Sequence, residues 1–137
     1  MAYWLMKSDP ETWSWDDQLR DGTAEWDGVR NYQAANNMKA MRKGDRAFFY
    51  HSSDEKRIMG VVEIVREYYP DHTDETGRFG MVDVRAVATA KTPVDLSAIK
   101  AEPALSHLAL VRQSRLSVMP VDAKAWALLS RMAGLRP

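Results

Sequence analysis

The chain has 137 residues, 45% hydrophobic and 28% charged, a balance ordinary for a globular protein and enough length to bury a core without covalent staples. Nineteen Lys and Arg offset nineteen Asp and Glu, so holding duplex DNA mainly by phosphate neutralisation is not indicated; any nucleic-acid role must rest on a local patch or a pocket. The absence of cysteine excludes disulfides, thiol catalysis and thiolate metal sites.

No apolar run approaches the roughly 18 residues of a membrane span, and MAYWLMKSDP lacks a basic leader segment. A cytoplasmic protein of one domain, residues 1–137, is expected, without repeats or linkers; a monomer is compatible with it. In chain order, AYWLMKS reads as a first strand. SDPE places Ser8 and Glu11 at capping-box spacing, and SWDDQLRDG as a short helix stopped at Gly22. Within WDGVRNYQAANNMKAM, Ala34, Ala35, Met38 and Met41 recur on one helical face, with Gln33, Asn37 and Lys39 off it, and Gly44 as the stop.

RAFFYHS and IMGVVEIVREYY are aromatic and β-branched, hence strands; PDHTDETGRFG is a polar loop between strands. In MVDVRAVATA, Val82, Val84, Ala86 and Ala88 share one face, opposite Asp83, Arg85 and Thr89. TPVDLSAIKAEPAL suggests short helical turns, RLSVMPV a closing strand, and DAKAWALLSRMAGL a helix with Ala125, Trp126, Leu129 and Met132 inward. Strands separated by short helices, without a long β-α-β rhythm, indicate a compact α+β, barrel-like domain.

Several chemistries fit poorly. Asp71, His72, Asp74 and Glu75 match no metal-ligand spacing and read as a solvated acidic turn. His51 and Ser52 are strand neighbours, which point to opposite faces and cannot easily form a nucleophile–base pair. No catalytic group, metal or cofactor is assigned.

The entrance to the second helix is unusual. Trp26 can be a core aromatic and Asp27 an N-cap. Counted back along the helical stripe, however, Asn31 falls inward, where an unpartnered carboxamide would cost on the order of 1–3 kcal/mol. Its edge complements a nucleobase edge. An adjacent tryptophan stacked on a base contributes roughly 1–3 kcal/mol.

Six ordered blocks, YWLMKSDP, WDGVRNYQAANNMKAM, GDRAFFYHS, GVVEIVREYYPDHT, VDVRAV and SRLSVMPV, resemble those of the EVE domain family over nearly the whole chain. The resemblance implies a PUA-like fold: α+β, a small curved β-barrel with peripheral short helices. It implies a non-catalytic module that binds a modified nucleobase in DNA or RNA, beside the first strand and the helix entrance. By matched position, Trp26 would be an aromatic wall, Lys7 and Ser8 contacts to the base edge, and Asp27, Arg30 and Asn31 edge readers or supports. Tyr32, Tyr50, His51 and Ser52 would form a further rim, and Arg66 and Arg115 would meet phosphate. A second aromatic wall has four candidates: Trp4, Trp13, Trp15 and Tyr32. Asp9 and Ala35 stand where the family pattern often has Glu and Arg, and the loop from Asp71 to Gly80 is short. The alternative is a binding protein for free nucleobases or nucleotides, in keeping with the neutral charge.

Overall fold

The computed structural model describes residues 1–136 as one mixed sheet with short helices around it. In chain order these are β1 (Tyr3–Ser8), α1 (Trp15–Asp21), β2 (Thr23–Glu25), α2 (Tyr32–Ala40), β3 (Arg46–His51), β4 (Arg57–Pro70) and β5 (Gly80–Asp95). They are followed by α3 (Leu96–Lys100), a 3-10 turn (Pro103–Leu105), α4 (Ala109–Arg112), β6 (Val118–Val121) and α5 (Ala123–Met132). The sheet order is β2-β5-β4-β3-β1-β6. Only β1 and β3 pair in parallel; the other neighbours are antiparallel. The ladder ends at β2 and β6 and does not close into a barrel among the described residues. Pairing irregularities bend it, one between β3 and β4 and four between β4 and β5. Extra residues of this kind increase local twist and curvature.

The alternation in the strands accounts for the core. In β5, Val82 and Val84 are buried and Arg85 is exposed. Phe48 and Phe49 are both fully buried, because this sheet is packed on both faces. Phe48 stacks on Trp126 of α5, with ring centroids 3.9 Å apart; Phe49 takes Trp15 and Trp26 edge-on. Helix α5 shows its expected stripe, Ala125, Trp126 and Leu129 buried and Met132 partly so.

Three local expectations are corrected. The capping box lies at Ser14 and Asp17, not at Ser8 and Glu11: each of the pair bonds the other's backbone N–H. Ser8 instead donates its hydroxyl to the Trp13 carbonyl at 2.5 Å. Second, α2 ends at Ala40, before Gly44, which lies in the following turn at φ 96°. The third correction concerns β2, which no periodicity announced: three residues are too few to display a period of two.

Trp15 anchors this corner. Its ring packs over Gly60 in β4, where a Cβ would collide with the indole, and its Nε1–H donates to Thr89 Oγ1 in β5 at 3.0 Å. The backbone N–H of Trp15 donates to His51 Nε2 at 2.9 Å. Helix α1 is thereby fixed to three strands. The segment before it, including Trp13, is held beside the end of β1.

Candidate functional site

A cleft of about 660 Å³ opens where β1 ends, lined by Lys7, Ser8 and Trp13 on one side and by β2 and residues 26–30 on the other. Ser117, just before β6, completes it. Five of the residues expected to form a base pocket meet here: Lys7, Ser8, Trp26, Asp27 and Arg30.

Trp26 is 7% exposed and belongs to the core, edge-on to Phe49 at 5.5 Å and 86°. Its backbone N–H donates to the Val82 carbonyl at 2.8 Å, which seats the residue just past β2. Among the described residues its indole N–H finds no acceptor, yet it is not sealed: the one enclosed, unpaired side-chain polar atom is Ser130 Oγ. Trp26 is thus both core anchor and cleft wall, with a free donor at its accessible edge. Of the four candidates for a second ring, Trp13 lines the cleft. Its indole N–H donates to the fully buried Gln18 at 3.0 Å, which fixes the ring plane. Trp4 is buried elsewhere, bonded to Asp45 at 3.1 Å; Trp15 is 2% exposed. Tyr32 is 61% exposed and packs on Phe79.

Asn31 does not lie on the buried stripe. It is the exposed N-cap of α2, its side-chain oxygen accepting from Ala34 N–H at 2.9 Å. At φ −105° and ψ 130° its backbone is extended, so helical periodicity cannot be carried back to it. The cap is therefore Asn31 and not Asp27, which is exposed on the cleft.

The expected further rim also lies outside the lining. Tyr50 is 2% exposed, its hydroxyl pushed up to about 12 by burial and then by Asp95. His51 is buried between Trp15 N–H and Glu55, whose Oε1 is 2.9 Å from Nδ1. Because Nε2 accepts a backbone N–H, the proton sits on Nδ1 and points at Glu55. Ser52 donates its backbone N–H to the Ser8 carbonyl at 2.9 Å, which supports the cleft floor from behind. Arg66 lies over the Tyr69 ring, 3.5 Å from its centroid, on the exposed part of β4. Arg115 is exposed, two residues from Ser117.

A residue that sequence reasoning treated as solvated holds the helix entrance in place. The Asp71 side chain is fully buried and accepts from Gly28 N–H (2.8 Å), Arg30 Nη1 (3.0 Å), Thr73 N–H (2.8 Å) and Thr73 Oγ1 (2.6 Å). Burial alone would raise this carboxyl; the hydrogen bonds from Thr73, Gly28 and Arg30 outweigh it and hold the group down to about 2. Arg30 also donates to Thr73 Oγ1 at 3.0 Å. Asp74 repeats the motif, accepting from Thr76, Arg78 and Phe79. The sequence signal is Asp-X-Thr twice in PDHTDETGRFG, a side-chain turn motif rather than an acidic run. Among the described residues no cluster of three or more His, Asp or Glu is placed to hold a metal ion, and no helix is long and apolar enough to cross a membrane.

The EVE domain model matches residues 2–132. The chain belongs to the EVE domain family. This EVE domain is 37% identical to thymocyte nuclear protein 1 of Gallus gallus over 159 aligned residues, which cover 88% of this chain and 64% of the relative. The chain thus spans just under two thirds of that protein's length. Among solved structures it resembles protein Atu2648 of Agrobacterium tumefaciens, at 46% identity and TM-score 0.96, covering 98% of this chain and 94% of that one. It also resembles human THYN1 in complex with DNA containing 5-methylcytosine, at 34% identity and TM-score 0.92 with full coverage of both chains.

Proposed function

We propose that this EVE domain is a non-catalytic reader of a modified nucleobase in DNA or RNA, the base entering the cleft between Trp26 and Trp13. The observation that carries this reading is the cleft itself. Two indoles and a ring of hydrogen-bonding groups converge in it, on a fold that human THYN1 uses with 5-methylcytosine DNA. Donors are Lys7 and the Trp26 N–H; acceptors are Asp21, Glu25 and Asp27. These are the parts needed to stack a ring and read its edge. The bulges of β4 and β5 support a PUA-like, barrel-like curvature of the sheet. Contacts from Asn31, Tyr32, Tyr50, His51 and Ser52 would be indirect, through the positions of α2 and β1.

The test is binding of the purified protein to matched oligonucleotides with and without one 5-methylcytosine, beside the free nucleosides. Tighter binding of the modified strand, by about tenfold (about 1.4 kcal/mol), is expected. Trp26→Phe retains the ring and removes the N–H donor, so it should erode the preference while Trp13→Ala weakens all strands. Equal affinity for modified and unmodified strands in the wild-type protein would sink the proposal. Strong binding of free nucleosides alone would favour the small-molecule alternative.

A further inference from the structure

The sheet has two terminal strands, β6 and β2, and their outer edges differ. In β6, Val118 pairs with Met6 and Pro120 with Trp4, while Lys7 N–H donates to the Ser117 carbonyl at 2.8 Å. Antiparallel partners exchange both bonds at every second residue. Residues 117, 119 and 121 therefore bond to β1, and residues 118 and 120 face outward. Pro120 has no N–H to present there, and the Val118 carbonyl accepts from Asn37 Nδ2 of α2 at 2.8 Å. That edge is blunted, as edge strands commonly are.

Strand β2 is not. The Gly22 carbonyl accepts from Ala86 N–H at 2.9 Å, and Trp26 N–H donates to the Val82 carbonyl at 2.8 Å. With Thr23 opposite Arg85, Ala24 opposite Val84 and Glu25 opposite Asp83, the residues bonded to β5 are 22, 24 and 26. The N–H and carbonyl groups of Thr23 and Glu25 point away from the sheet. No backbone bond from the other described residues reaches them.

The cleft runs along this edge. Thr23, Ala24, Glu25 and Trp26 line it in succession, although side chains alternate between the two faces of a strand. Trp26 turns into the core. Glu25 turns to the other face, where the Tyr69 hydroxyl bridges it to Asp83 and His72 holds it at 2.8 Å. A surface shared by residues of both faces is the edge of the strand, and its hydrogen-bonding groups belong to the main chain.

We propose that the main chain of Glu25 reads the base: its N–H and carbonyl, next to the Trp26 wall, take an acceptor and a donor that sit side by side on the ring. The inference rests on the reader function proposed above and adds the class of base, one modified on a ring carbon with its acceptor–donor edge intact. Cytosine offers N3 as the acceptor and the N4 amino group as the donor. A methyl group at C5 leaves both free. A ring that entered with either one blocked would strip water from the Glu25 groups without replacing it, and that loss is the source of discrimination.

Glu25→Pro compared with Glu25→Ala tests the main-chain donor. Both variants lose the carboxylate and its contacts with His72 and Tyr69. Only proline also loses the N–H, at an outward edge position where the ladder to β5 stays intact. For an oligonucleotide with one 5-methylcytosine, Glu25→Pro should bind about fivefold more weakly than Glu25→Ala, the worth of one hydrogen bond. In a second measurement, the wild-type protein should bind strands carrying N4,N4-dimethylcytosine or 3-methylcytosine more weakly than unmodified ones.

Circular dichroism shows whether Glu25→Pro folds; if it does not, the blocked rings decide alone. Equal affinity of the two folded variants overturns the main-chain reading, and so do blocked rings bound as tightly as 5-methylcytosine. In either case a wild-type preference for the 5-methylcytosine strand leaves the reader function standing. If wild type does not distinguish that strand from the unmodified one, the reader function fails and the main-chain reading fails with it.

Discussion

At the scale of single residues, Asp71 shows how a buried charge can be spent on geometry. Its carboxylate collects the Gly28 and Thr73 N–H groups, the Thr73 hydroxyl and the Arg30 guanidinium. Asp71→Asn would place an amide N–H₂ against these donors and leave some of them unpaired. Because Arg30 remains 40% exposed and can be solvated, the cost should be roughly 2 kcal/mol and not the larger penalty of a sealed ion pair. Urea unfolding measures it. The same variant should loosen residues 26–30 and weaken ligand binding beyond the loss of stability. Unchanged affinity in a folded variant would mean that the cleft holds its shape without this clasp.

Elements show where the sequence was legible and where it was not. β3, β4 and β5 could be read because aromatic and β-branched residues run along them, and β5 alternates cleanly. Helix α2 was legible from Ala34, Ala35 and Met38, all buried as their spacing requires. The same periodicity misled at Asn31, since a capping residue precedes the helix and obeys its own backbone geometry. Asp71 was missed because composition registers an acidic loop but not which acid turns inward. Trp26 and the β1 end were placed by family resemblance, and periodicity alone could not have joined them across the sheet. Gly60 illustrates a constraint invisible to any local pattern. Its missing side chain makes room for Trp15, 45 positions earlier in the chain. Gly60→Ala must displace the indole that fixes α1 and, through it, Trp13. A loss of about 1–3 kcal/mol is expected from overpacking, read from the shift of the urea midpoint. A milder Thr89→Val change should remove only the Trp15 N–H partner.

For the whole molecule, acid should find a defined weak point. Asp71 titrates at about 2 in the folded protein against an ordinary 3.8. A carboxyl depressed on folding stabilises the native state above its unfolded value and ceases to do so as pH falls through its folded value. Its contribution, roughly 2 kcal/mol, is therefore complete above about pH 5 and lost between about pH 4 and pH 2. Asp74, also held to about 2 by Thr76, Phe79 and the surrounding turn, acts in the same direction from a partly exposed position. Urea midpoints between pH 7 and pH 2 should fall less steeply in Asp71→Asn than in wild type. Parallel curves would place the acid sensitivity elsewhere.

β1 lies between β3 and β6, so residues 3–8 are paired with residues 46–51 on one side and residues 3–6 with residues 118–121 on the other. The cleft draws on that junction, taking Lys7 from the first strand and Ser117 from the approach to the last. Such pairings close long loops, whose entropy slows folding. During synthesis Trp13, Trp26 and the Asp71 clasp leave the ribosome well before Ser117 does. A partly made chain thus carries the aromatic wall without the segment that closes the cleft beside Lys7. The cleft is complete only once β6 has paired with β1.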